Sequence, residues 1–374
     1  MTPAAIPMKV PFFNYPALFA AHQREYMTVI EQVLHRGAYI MQQELAEFEA
    51  ALAAYVKVRH AIGVADGTMA LLIGLRAAGV KPGDEVIVPS HTFVASAAAI
   101  SHAGAVPVLA DCGTDHLIDA ASARRQVTAR TRAIMPVQLN GRACDMDAVG
   151  ALAREHGLAI VEDSCQALGS TFGGRCAGTF GAAGAFSFYP SKTLGCFGDG
   201  GALVTDDNAL ADAARNLRDH GRSASGEVTA WGYNSRLDNL QAAVLLTKLR
   251  RYEAEIARRR ELAARYRERL SALPQLILPP GPEPSDARHF DIFQNYEIEA
   301  ERRDDLRAHL TGAGIGTLLQ WGGWMLHQHR ALALRGEWTN TERLRARYLM
   351  LPMNTSLRDE DVDFVCDQIM HFYG

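Results

Sequence analysis

One stretch carries the residue types for covalent chemistry on an aldehyde. Between Val161 and Thr205 the chain reads VEDSCQALGSTFGGRCAGTFGAAGAFSFYPSKTLGCFGDGGALVT. An apolar run, Leu158–Val161, ends in two adjacent carboxylates, Glu162 and Asp163. A second, Gly184–Phe188, leads to one lysine, Lys192, with Ser191 before it and a GDGG turn after it. Walled by Phe186, Phe188, Tyr189, Leu194 and Phe197, the lysine loses solvation, which lowers its pKa and leaves a neutral amine able to attack an aldehyde. A carboxylate at the end of a buried strand needs a partner to stay charged, and a protonated pyridine nitrogen is one. Both residues have ordinary alternatives: a solvated loop lysine, and a salt bridge or helix cap for Asp163. Glu162 points to the other side of the strand and reads as structural.

Further partners come from other strand ends. Asp66-Gly67-Thr68 follows a short strand, His60–Val64, and opens a helix, Gly67–Ala78, so its amides, hydroxyl and helix dipole suit a phosphate. An ordinary N-cap accounts for the same residues. Ser187 is a second phosphate ligand or a small polar strand residue. Phe93 is an aromatic plate for a flat ring or a core residue. Lysine for an aldehyde, aspartate for a ring nitrogen, Gly-Thr and Ser for a phosphate and an aromatic for the ring face are what pyridoxal 5′-phosphate needs.

The elements that must position these residues alternate regularly. Strands are expected at Glu85–Pro89, Val106–Ala110, Ala133–Val137 and Leu158–Val161, with helices at Phe93–Ala103, Ala120–Val127 and Met146–His156 between them. Repeated β–α–β with short connections predicts an α/β fold with a mostly parallel sheet sandwiched by helices, ligands binding at the carboxyl ends of the strands. Helices over Ala20–His35 and Gln43–Tyr55 precede it, and a long charged helix from Leu237 to about Leu270 closes it. The Pro-rich segment 274–284 marks a boundary. Beyond it, a strand at Phe293–Glu299 and helices at Arg302–Ala313 and Arg358–Phe372 form an α+β lobe. The expected division is an arm over 1–40, a large cofactor-binding domain over 41–273 and a small C-terminal domain over 285–374.

Composition bounds the function. A chain of 374 residues exceeds one ordinary core, and 48% hydrophobic with 21% charged residues is typical of a globular protein. A net charge of −4 gives no electrostatic reason for nucleic acid or an anionic membrane as partner. The six cysteines show no CxxC pairing and read as reduced thiols. Prolines interrupt the N-terminal segment where a signal peptide needs an apolar run, and the apolar region 93–110 contains Ser, His, Gly and Pro, too weak to span a bilayer. The expected location is the cytoplasm.

Five blocks carry a resemblance: GAYIMQQELAEFEAALAAYVKVRHAIGVADGTMAL, PGDEVIVPSHTFVASAAAI, VEDSCQALGS, FSFYPSKTLGCFGDGGALVTDD and GYNSRLDNLQAAVLLTKL. In order and spacing the chain resembles the sugar-nucleotide aminotransferases of the DegT/StrS type, which have the aspartate aminotransferase fold (fold type I). The resemblance implies that Lys192 binds pyridoxal phosphate covalently, Asp163 pairs with the pyridine nitrogen, Gln166 hydrogen-bonds the ring hydroxyl and Phe93 stacks on the ring. It gives the phosphate to Gly67, Thr68 and Ser187, with Asn234 reaching the site of a neighbouring subunit in a homodimer. It further implies transamination: L-glutamate leaves its nitrogen as pyridoxamine 5′-phosphate, and an NDP-linked ketosugar takes it up, giving an NDP-aminosugar for surface polysaccharide or natural-product glycosylation. Relatives with histidine in place of Lys192 remove a sugar hydroxyl instead.

The chain departs from the family in the small domain, where many relatives have His-Tyr-Pro and this one reads LLQWGGWMLHQHRAL (318–332). Trp321, Trp324 and His327 are therefore candidate acceptor-pocket residues, with packing under the lobe as the alternative. Gln166, where some relatives have His, leans toward amination at C3. The VQLNGRACDMD loop (137–147) has no assigned role. Two rival functions remain: an aminotransferase for an inosose or other cyclic ketone, and a non-catalytic regulator that kept the fold.

Overall fold

A computed structural model describes residues 9–334 and 336–374. Residues 1–8 of the arm expected over 1–40 lie outside the described residues. From there the arm joins the C-terminal lobe: Val10 is buried and bridges Ile315 in parallel.

Seven strands build the main sheet: β1 His60–Val64, β2 Glu85–Pro89, β3 Val106–Ala110, β4 Thr131–Ile134, β5 Ala159–Asp163, β6 Ala183–Ser187 and β7 Gly201–Thr205. Their spatial order is β1-β7-β6-β5-β4-β2-β3. Only β7 runs against its neighbours, so the other six carboxyl ends meet at one edge. This is the α/β fold with a mostly parallel sheet that the alternating pattern predicts. Every residue of β2 (EVIVP) is buried, which requires cover on both faces and explains an apolar run without alternation. Aspartates start the helices that cross back: Asp66, Asp119, Asp145 and Asp207 each accept from a backbone N–H in the first turn of the helix they precede. All six cysteines are free.

Two expectations need correction, and three elements are additions to them. The single helix over 237–270 is two, Asn239–Leu249 and Tyr252–Leu270, because Arg251 leaves the helical basin (φ −117°, ψ 13°). Its guanidinium reaches Tyr26 Oη at 2.5 Å and Glu25 on the helix Gln23–Arg36, a tertiary contact that overrides a continuous helical pattern. The strand expected from Phe293 begins at Tyr296, since Phe293 sits in the left-handed region (φ 53°). The strands Gly201–Thr205 and Tyr348–Leu351 and the helix Asn208–Arg218 lie where no element was assigned.

In the C-terminal lobe a three-stranded antiparallel sheet joins Leu276–Ile277, Tyr296–Ala300 and Tyr348–Leu351. Its apolar cluster recruits Leu262, Ala263, Tyr266 and Leu270 from the helix Tyr252–Leu270, so the second core begins ahead of the Pro-rich segment. Tyr252 and Ile256, at the start of the same helix, pack instead in a cluster with Phe186, Phe188 and Leu194 beneath the Lys192 loop. No helix among the described residues is long and apolar enough to cross a membrane.

Candidate active site

The carboxyl edge of the sheet opens into a cavity of about 580 Å³ between the two lobes. β1 delivers the first group. Asp66 is extended and accepts from Met69 N–H at 2.8 Å, so it is indeed the N-cap. The cap leaves the N–H groups of Gly67 and Thr68 without a partner among the described residues, and both residues line the cavity. The cap and phosphate readings are thus compatible. Gly67 is required by close approach: a Cβ there would lie 2.7 Å from Cys165 Sγ and 2.9 Å from Ser187 Cβ. Ser187, the last residue of β6, accepts weakly from Tyr189 N–H (3.4 Å), which leaves its own proton to donate.

Asp163 ends β5 and is buried. One carboxylate oxygen accepts from Ser96 Oγ (2.7 Å), the other from Cys165 N–H (3.2 Å). Among the described residues no lysine, arginine or histidine pairs with it, so the salt-bridge alternative does not apply and a protonated ring nitrogen has a free acceptor.

Lys192 lines the cavity with Asp163. Loss of solvation pushes its ammonium below the usual lysine range, against the opposing pull of Cys165 and Asp163. Phe186, Phe188 and Leu194 are buried as expected, but Tyr189 and Phe197 are half-exposed. Phe197 packs on Phe19 and Tyr26, at 5.8 and 5.2 Å between ring centres, rather than walling the lysine. The restraint on the loop is polar. Gln294 donates to Ser191 O (2.8 Å) and accepts from Thr193 N–H (2.7 Å), gripping the backbone on either side of Lys192.

Phe93 is 49% exposed and lines the cavity, which argues against a core role. Its ring lies 6.5 Å from that of Trp321, tilted by 30°. Gln166 also faces the cavity, its Oε1 accepting from Asn140 N–H (2.9 Å) and Asn295 Nδ2 (3.2 Å). Of the three small-domain candidates only Trp321 reaches the cavity. Trp324 is exposed and lies against His329, while His327 is held by Glu342 at 2.5 Å and packs on Trp338. Asn234 is exposed and outside the cavity of its own chain, its Oδ1 accepting from Arg236 at 2.5 Å.

The family model for the DegT/DnrJ/EryC1/StrS aminotransferases matches residues 21–370. The chain belongs to that family. A Streptomyces venezuelae relative, dTDP-3-amino-3,4,6-trideoxy-alpha-D-glucose transaminase, is 44% identical over 84% of this chain and 82% of its own. The pleiotropic regulatory protein of Geobacillus stearothermophilus is 37% identical over 98% of this chain and 99% of its own. Among solved structures, S. venezuelae DesV in complex with a ketimine intermediate superposes with a TM-score of 0.93 at 40% identity, covering 98% of this chain and 99% of that one. The protein is an aminotransferase that works with pyridoxal phosphate.

The site suits that cofactor on its own evidence. It holds an amine of lowered pKa, a buried carboxylate with no cation paired to it among the described residues, and a helix start with free N–H groups where Gly67 leaves no room for a Cβ. Four further residues of this aminotransferase escaped sequence reasoning: Ser96, Asn140, Gln294 and Gln320. Each is a neutral polar residue whose partner lies far along the chain or in the other lobe, and no local pattern signals that.

Proposed function

We propose that the protein transfers the amino group of L-glutamate to C3 of a deoxysugar ketone carried by a nucleoside diphosphate, as a cytoplasmic homodimer with shared sites. The observation that carries the reading is Lys192 and Asp163 meeting in a cavity whose other end is the free helix start at Gly67-Thr68. The sugar reading draws on the 3-amino sugar transaminase that is 44% identical. When bound, pyridoxal phosphate supplies a ring that accepts electrons from the carbon beside the transferred nitrogen. Asp163 holds the proton on the ring nitrogen. Gly67, Thr68 and Ser187 bind the phosphate, Phe93 supports the ring face and Gln166 donates to the ring oxygen. Lys192 Nζ would hold the cofactor through its aldehyde carbon and, when free, would move a proton to and from the substrate carbon.

Two features support the dimer. Among the described residues Lys192 is the only cationic one lining the cavity, beside Asp66, Asp163 and Asp199, so they offer little to hold a diphosphate. Near Asn234, Trp231 is 90% exposed and Val228 63%, two large apolar side chains uncovered among the described residues. A neighbouring subunit seated there brings Asn234 and Arg236 to the other chain's phosphate sites. The proposed division is a large domain over 41–273 that holds the cofactor and a small one over 285–374 that brings Trp321 to the acceptor side.

The test uses purified protein loaded with pyridoxal phosphate. An absorption band near the visible edge should bleach when L-glutamate is added, and a panel of dTDP-, UDP- and GDP-linked 3-keto and 4-keto sugars should restore it for one member. Product NMR then locates the amine. A protein that takes up no chromophore sinks the reading and favours the regulatory role that the Geobacillus relative's name suggests. A band restored only by an unlinked cyclic ketone replaces the nucleotide sugar.

A further inference from the structure

A chain of side-chain amides links the cavity to a buried carboxylate in the C-terminal lobe. At the cavity end, Gln166 Oε1 is held by Asn140 N–H, a group that can only donate, so its Nε2 must point elsewhere. One hydrogen of that nitrogen reaches Gln320 Oε1 at 3.4 Å. Gln320 Nε2 in turn donates to Glu297 Oε2 (2.8 Å) and to Asn140 Oδ1 (2.7 Å), and Asn140 Nδ2 donates to Glu297 Oε1 (3.1 Å). Glu297, on Tyr296–Ala300, is 2% exposed.

The direction of the bonds at Gln320 and at the Asn140 side chain follows from Glu297 being an acceptor only, which leaves Gln320 Oε1 to accept from Gln166 Nε2. His116 keeps Glu297 so. Its Nδ1 lies 2.8 Å from Glu297 Oε1 and its Nε2 3.2 Å from Glu299 Oε1; a ring with a carboxylate at each nitrogen must donate from both, which makes it an imidazolium. Arg343 and Arg347 pair with Glu299 on its far side, and His91 Nε2 faces Glu297 at 3.5 Å. Backbone strain gathers here too. Asn140 (φ 57°), His116 (φ 69°) and Trp321 (φ 54°), next to Gln320, are non-glycine residues in the left-handed region, a conformation that persists only where its surroundings enforce it.

We propose that Glu297 and His116 are positioning residues that fix the polarity of this relay, so that Gln320 accepts from Gln166 Nε2 and reinforces the orientation set by the Asn140 N–H, in which Gln166 presents an N–H and not its carbonyl oxygen to the ring oxygen of the bound cofactor. The inference rests on the reading that Gln166 meets that oxygen. An N–H donated to an anionic ring oxygen draws charge from it, and that charge is what holds the proton on the nitrogen joining Lys192 to the cofactor. The relay therefore lowers the pH at which the Lys192-linked chromophore loses its proton. With Gln at 297 the carboxamide can donate, Gln320 can turn over, and two N–H groups then face each other at Gln166.

The test is a spectroscopic pH titration of the cofactor-loaded enzyme without substrate, on the wild type, Gln166→Ala, Glu297→Gln and Gln320→Met, with thermal unfolding as a check of folding. Gln166→Ala should move the midpoint up by about half a pH unit or more, and the other two should move it the same way by less. Should Glu297→Gln fail to fold, Gln320→Met decides. A midpoint that moves in Gln166→Ala but in neither relay variant overturns the proposal and leaves the Gln166 reading intact. A midpoint unmoved in Gln166→Ala removes that reading, and the relay with it. A purely structural latch between the lobes lowers the melting temperature without moving the midpoint, and that too overturns the proposal.

Discussion

The chemistry proposed for Lys192 and Asp163 draws on one shared trait: neither has an ion-pair partner among the described residues. Replacing Lys192 by Ala should abolish the borohydride-reducible link to the cofactor and lower kcat by about 100- to 10,000-fold. Mass spectrometry after reduction reads the first, and an adduct that persists moves the nucleophile elsewhere. Gly67→Ala is predicted to weaken cofactor binding at least about tenfold, because the new Cβ meets Cys165 and Ser187 at under 3 Å. A fluorescence titration of the cofactor-free protein checks it. These residues were legible in the sequence because their types are uncommon at strand ends: a lone lysine among aromatics, an aspartate closing a buried strand. Trp324 and His327 lie outside their own chain's cavity for the converse reason. Aromatic and histidine side chains beside a site are as ready to pack as to bind, and only His327's contact with Glu342 decides.

At the level of elements, the period of the apolar residues identified six parallel strands but not β7, although GALVT is as buried as the rest. Its pairing with β1 and β6 is antiparallel and long-range, and nothing in five apolar residues announces a reversed neighbour. The broken helix had the same cause, a long-range contact at Arg251. Gln294 was equally invisible, yet it joins the lobe segment ahead of Tyr296 to the lysine loop. Gln294→Ala leaves the Thr193 N–H and the Ser191 carbonyl without their partner and should cost about 1–3 kcal/mol of stability. Chemical denaturation measures that loss, and an unchanged midpoint would show that the clamp contributes nothing.

On the scale of the whole molecule the lobes meet through charge. His116 bridges Glu297 and Glu299; burial lowers its pKa, but the two carboxylates outweigh burial and raise it to about 9. A folded value above the unfolded one (about 6.5) means that this contribution is complete below the unfolded value and is lost as pH rises through the folded one. The difference in melting temperature between wild type and His116→Asn should therefore shrink from pH 6 toward pH 10, whereas a difference independent of pH would show that His116 carries no proton. For the proposed shared site, mixing inactive Lys192→Ala with inactive Asn234→Ala under conditions that exchange subunits should restore about a quarter of the activity, since half the dimers would be mixed and each would have one intact site. A mixture that stays inactive would place Asn234 outside the partner's site.

The helix Tyr252–Leu270 has a bearing on how such proteins can be recombined. Its first turn packs under the lysine loop and its last turns form part of the floor of the C-terminal lobe, so one rod is rooted in both cores. A chimera that exchanges the C-terminal lobe with a relative by cutting in 274–284 would graft a sheet onto foreign Leu262, Tyr266 and Leu270. A cut at the Arg250–Arg251 bend carries the floor along with the lobe.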